Sequence, residues 1–230
     1  MKFQKYMAVG ILGLTMALGF SGCQSENQKN QDAYRKIGIN SMAEGDYDKA
    51  VKSFQKALDT SLGKIGAEEI DICYYKAAAQ FAKKDYDGAI ETYTSLIDYD
   101  KENANAYYLR GSVYLDTDKQ DKAFKDYKNA VKYAGREYEI YEGIYENLTN
   151  KGETEEAKNY LKKALDIKPK DGADYAEQGH VYYLLEDYTQ AKSSLDRAID
   201  KDDKTALLYL AEVYNLSLIH ISEPTRQAEI

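Results

Sequence analysis

Alanine recurs along the chain at a nearly constant interval. The recurring residues are Ala50, Ala89, Ala123, Ala157 and Ala191, which are separated by 39, 34, 34 and 34 residues. A fixed spacing of this size is the sequence signature of stacked copies of one supersecondary unit. The chain is therefore predicted to be an array of repeats, each centred on one of these alanines.

Each alanine begins the same hydrophobic pattern, because a bulky apolar residue follows it by four positions and a second, usually small, residue follows by seven. Offsets of four and seven place side chains on one face of a helix. The pattern thus predicts one amphipathic helix per repeat. The bulky residues are Phe54, Tyr93, Tyr127, Leu161 and Leu195, and the second residues are Ala57, Leu96, Ala130, Ala164 and Ala198.

A second helix is predicted before each alanine, with a mostly small residue twelve positions upstream and a mostly aromatic residue sixteen positions upstream. Small residues allow two helices to approach, and large ones fill the gaps beside them. Each repeat is therefore predicted to be a helical hairpin. The upstream small positions are Gly38, Ala77, Gly111, Tyr145 and Gly179, and the aromatic positions are Tyr34, Cys73, Tyr107, Tyr141 and Tyr175.

Composition supports an all-α fold and removes one class of function. The 230 residues are 43% hydrophobic and 30% charged, with only two prolines, which favours helices over strands. The net charge is -8, so the surface repels phosphate and nucleic-acid binding is not expected. The chain has 23 tyrosines and no tryptophan, which assigns much of the packing to phenol rings.

The repeat resembles the tetratricopeptide repeat (TPR), whose consensus combines an aromatic residue, Leu-Gly, Tyr, Ala, an aromatic residue and Pro. The resemblance covers residues 31 to about 203 and departs from the consensus at Tyr145, which replaces a small residue, and at Gly135, which stands where proline is usual. It implies a right-handed superhelical α-solenoid. We predict a TPR array over residues 31–215, with five complete repeats and a truncated sixth that begins at Lys204. The best matches are Tyr34, Ile37, Gly38, Ala50, Phe54 and Ala57, and Tyr175, Gly179, Tyr182, Ala191 and Ala198.

The N-terminus has the form of an export signal. Lys2 and Lys5 precede an uncharged, mostly apolar run from residue 7 to residue 20, which is short for a membrane span. The run ends in Phe-Ser-Gly-Cys23, which resembles the lipobox of bacterial lipoproteins. We predict a signal peptide over residues 1–22, lipidation of Cys23 and a polar tether over residues 23–30, with an ordinary secretory signal as the alternative.

The last 15 residues break the repeat pattern abruptly. The sequence Leu-Ser-Leu-Ile-His-Ile-Ser-Glu-Pro-Thr-Arg from residue 216 can be back-translated into a transposon-derived sequencing adapter. We interpret residues 216–230 as a non-native tail and exclude His220 from functional reasoning.

The sequence lacks the residue sets that common catalytic sites require. His180 is the only histidine and Cys73 the only free thiol in the predicted array, so Ser-His-Asp and Cys-His catalysis are excluded. Asp200, Asp202 and Asp203 lack the glycine and the distal glutamate of a calcium loop and are predicted to form a solvated turn. No glycine-rich phosphate loop is found. We predict no catalytic residue, metal site, cofactor or nucleotide; Cys73 is assigned to the core.

The resemblance to TPR proteins implies that the first helices of the hairpins line a groove that binds partner chains. Tyrosine rings would anchor an extended segment or a helix, and Glu142 and Glu146 would favour basic partners. The Lys and Asn set of the chaperone-tail clamp is absent, so chaperone binding is not implied. The predicted groove residues are Tyr74, Ala78, Phe81, Tyr108, Ser112, Leu115, Glu142, Glu146, His180 and Tyr183.

These observations predict a non-enzymatic adaptor. Lipid on Cys23 would hold the array on the outer side of a bacterial membrane, either the cell membrane or the outer membrane, and the groove would bind a protein or peptide. The alternative is a lipoprotein that binds glycan or cell wall, with tyrosines of the concave face stacked on sugar rings. Most of the tyrosines fall on predicted packing positions, which favours the adaptor.

Overall fold

A computed structural model describes residues 26–61, 63 and 65–214. Helices joined by short loops make up this part of the chain, and it contains no strand, which confirms the predicted all-α class. Residues 206–214 are also helical. The other helices are α1 (Glu26–Ala43), α2 (Tyr47–Thr60), α3 (Ala67–Ala82), α4 (Tyr86–Tyr99), α5 (Ala104–Asp116), α6 (Gln120–Tyr133), α7 (Tyr138–Asn150), α8 (Thr154–Ala164), α9 (Gly172–Leu184) and α10 (Tyr188–Ile199).

The first helix includes part of the segment predicted as a polar tether. The predicted tether ends at residue 30, and α1 begins at Glu26, so residues 26–30 form its exposed first turns. These residues are polar and carry no apolar period, which is why the pattern did not extend the helix to them. The predicted signal peptide, Cys23 and the tail at residues 216–230 lie outside the described residues.

The repeating alanines lie where the helices of each hairpin approach. All five are fully buried, and the bulky residues four positions later are at most 1% exposed. The pattern of offsets therefore identified the buried face of every second helix correctly. These five helices are α2, α4, α6, α8 and α10.

Glycine twelve positions upstream makes this approach possible in three hairpins. A Cβ added to Gly38 would lie 2.5 Å from Phe54 Cε1, and one added to Gly111 would lie 2.8 Å from the Tyr127 ring. Gly179 has the same relation to Leu195 at 2.6 Å. The fourth hairpin, where the sequence already departs from the consensus, carries a half-buried tyrosine at this position.

The turn inside each hairpin repeats one backbone motif. The residue five positions before each alanine has a positive φ, and its N–H and the next N–H bond back to carbonyls of the preceding helix, as in a Schellman C-cap. In three hairpins the following aspartate, Asp46, Asp85 or Asp187, then caps the second helix. In these hairpins the positive-φ residue thus ends the first helix, and the aspartate that follows it begins the second. The positive-φ residues are Gly45, Lys84, Asp118, Gly152 and Glu186.

The chain divides into two compact units, and the boundary lies between Tyr133 and Ala134. In the first unit, α1 to α6 form three hairpins, and each helix packs on the next along the chain. In the second unit, α7 and α8 form one hairpin, α9 and α10 another, and the helical residues 206–214 add a further element. Each unit has its own buried apolar clusters.

Residues 206–214, at the start of the predicted sixth repeat, are helical, and they include both buried and exposed apolar side chains. Ala206 and Val213 are buried, whereas Leu207 and Leu208 are 55% and 71% exposed. Among the described residues, none of the helices combines the length and apolar character needed to cross a membrane.

Candidate functional site

The predicted groove residues of the first unit lie on α3 and α5, but they differ in accessibility. Three of the six are buried and can offer a ligand little surface, while Tyr74, Phe81 and Tyr108 remain partly accessible. The structure therefore reduces this part of the candidate site to three aromatic rings. The buried residues are Ala78, Ser112 and Leu115.

Tyr74 and Tyr108 cover fully buried tyrosines of the second helices. The Tyr74 ring centroid lies 6.3 Å from that of Tyr93, and the Tyr108 centroid lies 6.4 Å from that of Tyr127. Burial raises the pKa of the Tyr93 hydroxyl, and the neighbouring Tyr74 and Tyr108 hydroxyls add to the shift. Each accessible ring thus packs over a buried ring of a second helix, and these two rings together with Phe81 are called the aromatic surface of the first unit.

Hydrogen bonds fix the orientation of this surface. The Tyr74 hydroxyl donates to Asn103 Oδ1 at 2.6 Å, and the same oxygen accepts from the Ala106 N–H at the start of α5. The Tyr127 hydroxyl donates to Ser112 Oγ at 3.4 Å, so Ser112 has a structural contact within the predicted groove. Phe81 packs edge-on against Tyr86 with centroids 5.7 Å apart. The rings are therefore held in place before any ligand binds.

In the second unit, two predicted residues meet directly. His180 on α9 lies with Nδ1 2.9 Å from Oε1 of Glu142 on α7, and their side chains are 20% and 17% exposed. Glu146 and Tyr183 are also half-buried, and the ring of Tyr183 stacks on that of His180 at 6.0 Å. The prediction thus placed four residues on the partly accessible face of α7 and α9.

Two neighbours of His180 were missed by sequence reasoning. Glu177 offers a carboxylate oxygen in the same cluster, and donor atoms of Glu142, Glu177 and His180 all lie within 4.8 Å of one another. The Tyr209 ring stacks on His180 with centroids 4.4 Å apart. A signal for Glu177 was present, because residues three apart on a helix share a face and Glu177 precedes His180 by three.

Electrostatics in this cluster reflect an excess of negative charge. Burial and the nearby Glu142 and Glu139 carboxylates raise the pKa of Glu177 to about 7, against a smaller opposing effect of His180. Burial of His180 disfavours its charged form, but the hydrogen bond and the charge of Glu142, with Glu177 and Glu212, outweigh it and raise the His180 pKa. Both shifts thus arise in part from carboxylates that lie close together.

The remaining predictions concern single residues. Cys73 is half-buried against the apolar cluster of the first unit, and burial raises its thiol pKa, which fits the predicted unreactive core role. Asp203 caps the helical residues 206–214, since its Oδ1 accepts from the Ala206 N–H at 3.4 Å as well as from the Thr205 N–H at 2.8 Å. Asp202 adopts a positive φ in the same turn, and the segment is a turn, as predicted.

Family models match most of the array. Models described as tetratricopeptide repeat match residues 35–93, 104–136, 146–171 and 175–204, and a model described as TPR repeat matches residues 77–118. This chain carries tetratricopeptide repeats. The matches confirm the resemblance drawn from the repeating alanines, and this fold is a scaffold for protein–protein interaction.

Similar proteins include much longer TPR chains. The chain is 21% identical to anaphase-promoting complex subunit 3 of Schizosaccharomyces pombe, over 87% of this chain and 35% of that protein. It is 27% identical to human tetratricopeptide repeat protein 13, over 62% of this chain and 17% of that protein. The chain thus spans about a third or less of these curated relatives.

Solved structures of TPR proteins also align with the chain. A thermophilic TPR protein of Thermus thermophilus, TTC0263, is 17% identical, with a TM-score of 0.48 over 80% of this chain and 98% of that one. A Pseudomonas aeruginosa pilF structure is 18% identical, with a TM-score of 0.48 over 90% of this chain and all of that one.

Proposed function

We propose that this protein is a lipid-anchored adaptor on the outer side of a bacterial membrane, and that its TPR array binds a protein or peptide partner. The observation that carries the binding proposal is the aromatic surface of the first unit, formed by Tyr74, Phe81 and Tyr108. Partly accessible rings over a buried layer are the kind of anchor that dominates the affinity of protein interfaces.

The accessible rings suit a peptide segment with apolar side chains. Because Tyr74 is oriented by Asn103 and Tyr108 packs over Tyr127, little side-chain freedom is lost on binding. The net charge of -8 favours a segment that also carries lysine or arginine. An extended segment or an amphipathic helix with basic and apolar residues fits both features.

Burial argues against the glycan alternative. Sugar stacking needs accessible ring faces, whereas Tyr93, Tyr127, Tyr138 and Tyr160 are at most 3% exposed and serve the packing. These four tyrosines therefore offer no ring face to a sugar, which favours a protein ligand.

The test is site-specific photocrosslinking in cells of the source organism. A photoreactive phenylalanine analogue replaces Phe81, and the cross-linked product is isolated from envelope membranes and sequenced. We expect one defined protein, whose yield falls at least ten-fold when Tyr74 and Tyr108 are both changed to alanine. The matched control is Tyr99→Ala, which removes a 55% exposed tyrosine from the second helix α4.

Two outcomes contradict the adaptor proposal. The first is a cross-linking yield that does not change in the double variant. The second is retention of the purified protein on isolated cell-wall polysaccharide, lost in the double variant and kept in Tyr99→Ala, which favours the glycan alternative.

A further inference from the structure

The cluster on α7 and α9 has the composition of a metal site. Glu177 and His180 form a Glu-x-x-His pair on one face of α9, and Glu142 faces them from the preceding first helix. A Glu-x-x-His pair with a glutamate of another helix is half of the ligand set of the dinuclear carboxylate sites in four-helix bundles. The residues come from two hairpins of the second unit, so only the fold brings them together.

We propose that Glu142, Glu177 and His180 bind one divalent transition-metal ion of the zinc class. This site is independent of the aromatic surface of the first unit, and it stands whether or not that surface binds a partner.

The distances allow coordination with small side-chain movements. Two ligand atoms at about 2.1 Å from a tetrahedral ion are about 3.4 Å apart. His180 Nδ1 and Glu142 Oε1 are 2.9 Å apart, and no pair of the three donor atoms exceeds 4.8 Å. A change of the Glu177 rotamer can close the set, because its carboxylate is at the end of a flexible side chain. Three protein ligands leave a fourth position for water or for a carboxylate of a partner.

The donor set selects the class of ion. Imidazole nitrogen suits zinc, copper, iron and nickel, whereas calcium and magnesium require a shell of oxygen donors. One imidazole with two carboxylates therefore favours a borderline transition ion. The ion also relieves the repulsion between Glu142 and Glu177, which are close together and only partly solvated.

Aromatic rings that stack on His180 also suit this position to metal binding. Tyr209 stacks on the imidazole at 4.4 Å and Tyr183 at 6.0 Å, so the ring plane of His180 is fixed before an ion enters. A fixed imidazole loses less freedom on coordination. Metal binding would then join α7 to α9 and stabilise this pair of hairpins.

The purified protein is first treated with EDTA to remove metal, and zinc binding is then measured by calorimetric titration. The visible absorption of bound Co²⁺ is a second readout. We expect one site per chain, with a Kd at least ten-fold weaker in both Glu177→Gln and His180→Ala. Zinc should raise the Tm of the wild type and leave the Tm of Glu177→Gln unchanged.

Glu177→Gln keeps the proposal testable even if His180→Ala loses stability, because glutamine is nearly isosteric and removes a carboxylate from a crowded negative cluster. Two controls should bind zinc like the wild type. They are Glu146→Gln, one turn along α7 and outside the cluster, and His220→Ala, which removes the other histidine of the chain. Absence of a one-site isotherm, or equal Kd values for wild type and Glu177→Gln, overturns the proposal.

Discussion

At the residue scale, the close contact between Gly38 and Phe54 should reverse the usual effect of replacing a helical glycine by alanine. Alanine normally stabilises a helix by about 1 kcal/mol relative to glycine. Here the added Cβ would lie 2.5 Å from a buried ring that has no free space to move into. We expect the clash to dominate, so that Gly38→Ala lowers the free energy of unfolding by about 1–3 kcal/mol in urea titrations.

The control for Gly38→Ala is Asn40→Ala, an exposed change in the same helix that we expect to alter stability by less than about 0.5 kcal/mol. Combining Gly38→Ala with Phe54→Ala should show non-additive costs, because the two changes act on one contact. A Gly38→Ala protein as stable as the wild type would mean that the helices separate without cost.

At the turn residue Lys84, in contrast, a substitution by glycine should increase the stability of the protein. Its φ is 67°, a left-handed conformation that costs an L residue roughly 1 kcal/mol and glycine almost nothing. Because Gly45 and Gly152 hold the same position in other hairpins, Lys84→Gly should raise the free energy of unfolding by roughly 0.5–1 kcal/mol. Gly152→Ala is the matched reverse change and should destabilise; equal stability of Lys84→Gly and wild type would contradict the strain argument.

At the element scale, α4, α5 and α6 are joined by a buried ion pair. Arg110 Nε and Nη2 donate to the two oxygens of Asp126 at 2.7 and 2.8 Å, and Nη1 donates to Thr94 Oγ1 at 2.9 Å. Asp126 is 3% exposed, so Arg110→Leu leaves a buried, unpaired carboxylate and should cost about 3–5 kcal/mol by urea denaturation. The pair replacement Arg110→Leu with Asp126→Leu should recover most of that loss.

An exposed pair of the same unit serves as the control for Arg110. Lys101 and Asp98 are 2.6 Å apart but 65% and 66% exposed, and such pairs contribute little. Lys101→Ala should therefore leave the urea midpoint unchanged. If Arg110→Leu also left the urea midpoint unchanged, the buried pair would not contribute to the packing of the three helices.

The contact between α1 and α3 predicts a pH dependence of stability. Burial of Glu68, followed by its hydrogen bond and repulsion with Asp32, raises the Glu68 pKa to about 7 from an ordinary value of 4.5. Between these values the folded protein holds a proton that the unfolded chain releases. The free energy of unfolding therefore gains from Glu68 at low pH and loses this gain as the pH rises through about 7.

Glu68→Gln should flatten this part of the profile, and it should be more stable than the wild type above pH 7. The measurement is the difference between urea profiles of the two proteins from pH 5 to pH 8, because subtraction cancels groups they share. Glu91→Gln, an exposed change on α4, should give parallel profiles. Parallel profiles for Glu68→Gln would show that Glu68 and Asp32 do not share a proton.

Sequence pattern predicted the helices well because each hairpin repeats the same buried offsets. It could not predict contacts that depend on side-chain conformation across repeats, such as that of His180 with Glu142, 38 residues away. It also treated Ala78, Ser112 and Leu115 as groove residues, since position on a helix face does not reveal which neighbours cover it. The family resemblance supplied the fold, whereas the cluster of Glu142, Glu177 and His180 required coordinates.

At the scale of the whole molecule, the location proposed for the protein depends on Cys23, which lies outside the described residues. Lipid on this thiol and on the new amino group would supply more than the two hydrophobic anchors that stable membrane binding requires. Wild-type protein should sediment with membranes of the source organism, and its N-terminal peptide should carry the mass of the acyl chains. Cys23→Ala should lose the acyl chains and remain uncleaved after residue 22, whereas Cys73→Ala, which removes the half-buried thiol, should change neither property. An unmodified Cys23 in a soluble wild-type protein would leave the adaptor without its anchor and contradict the proposed location.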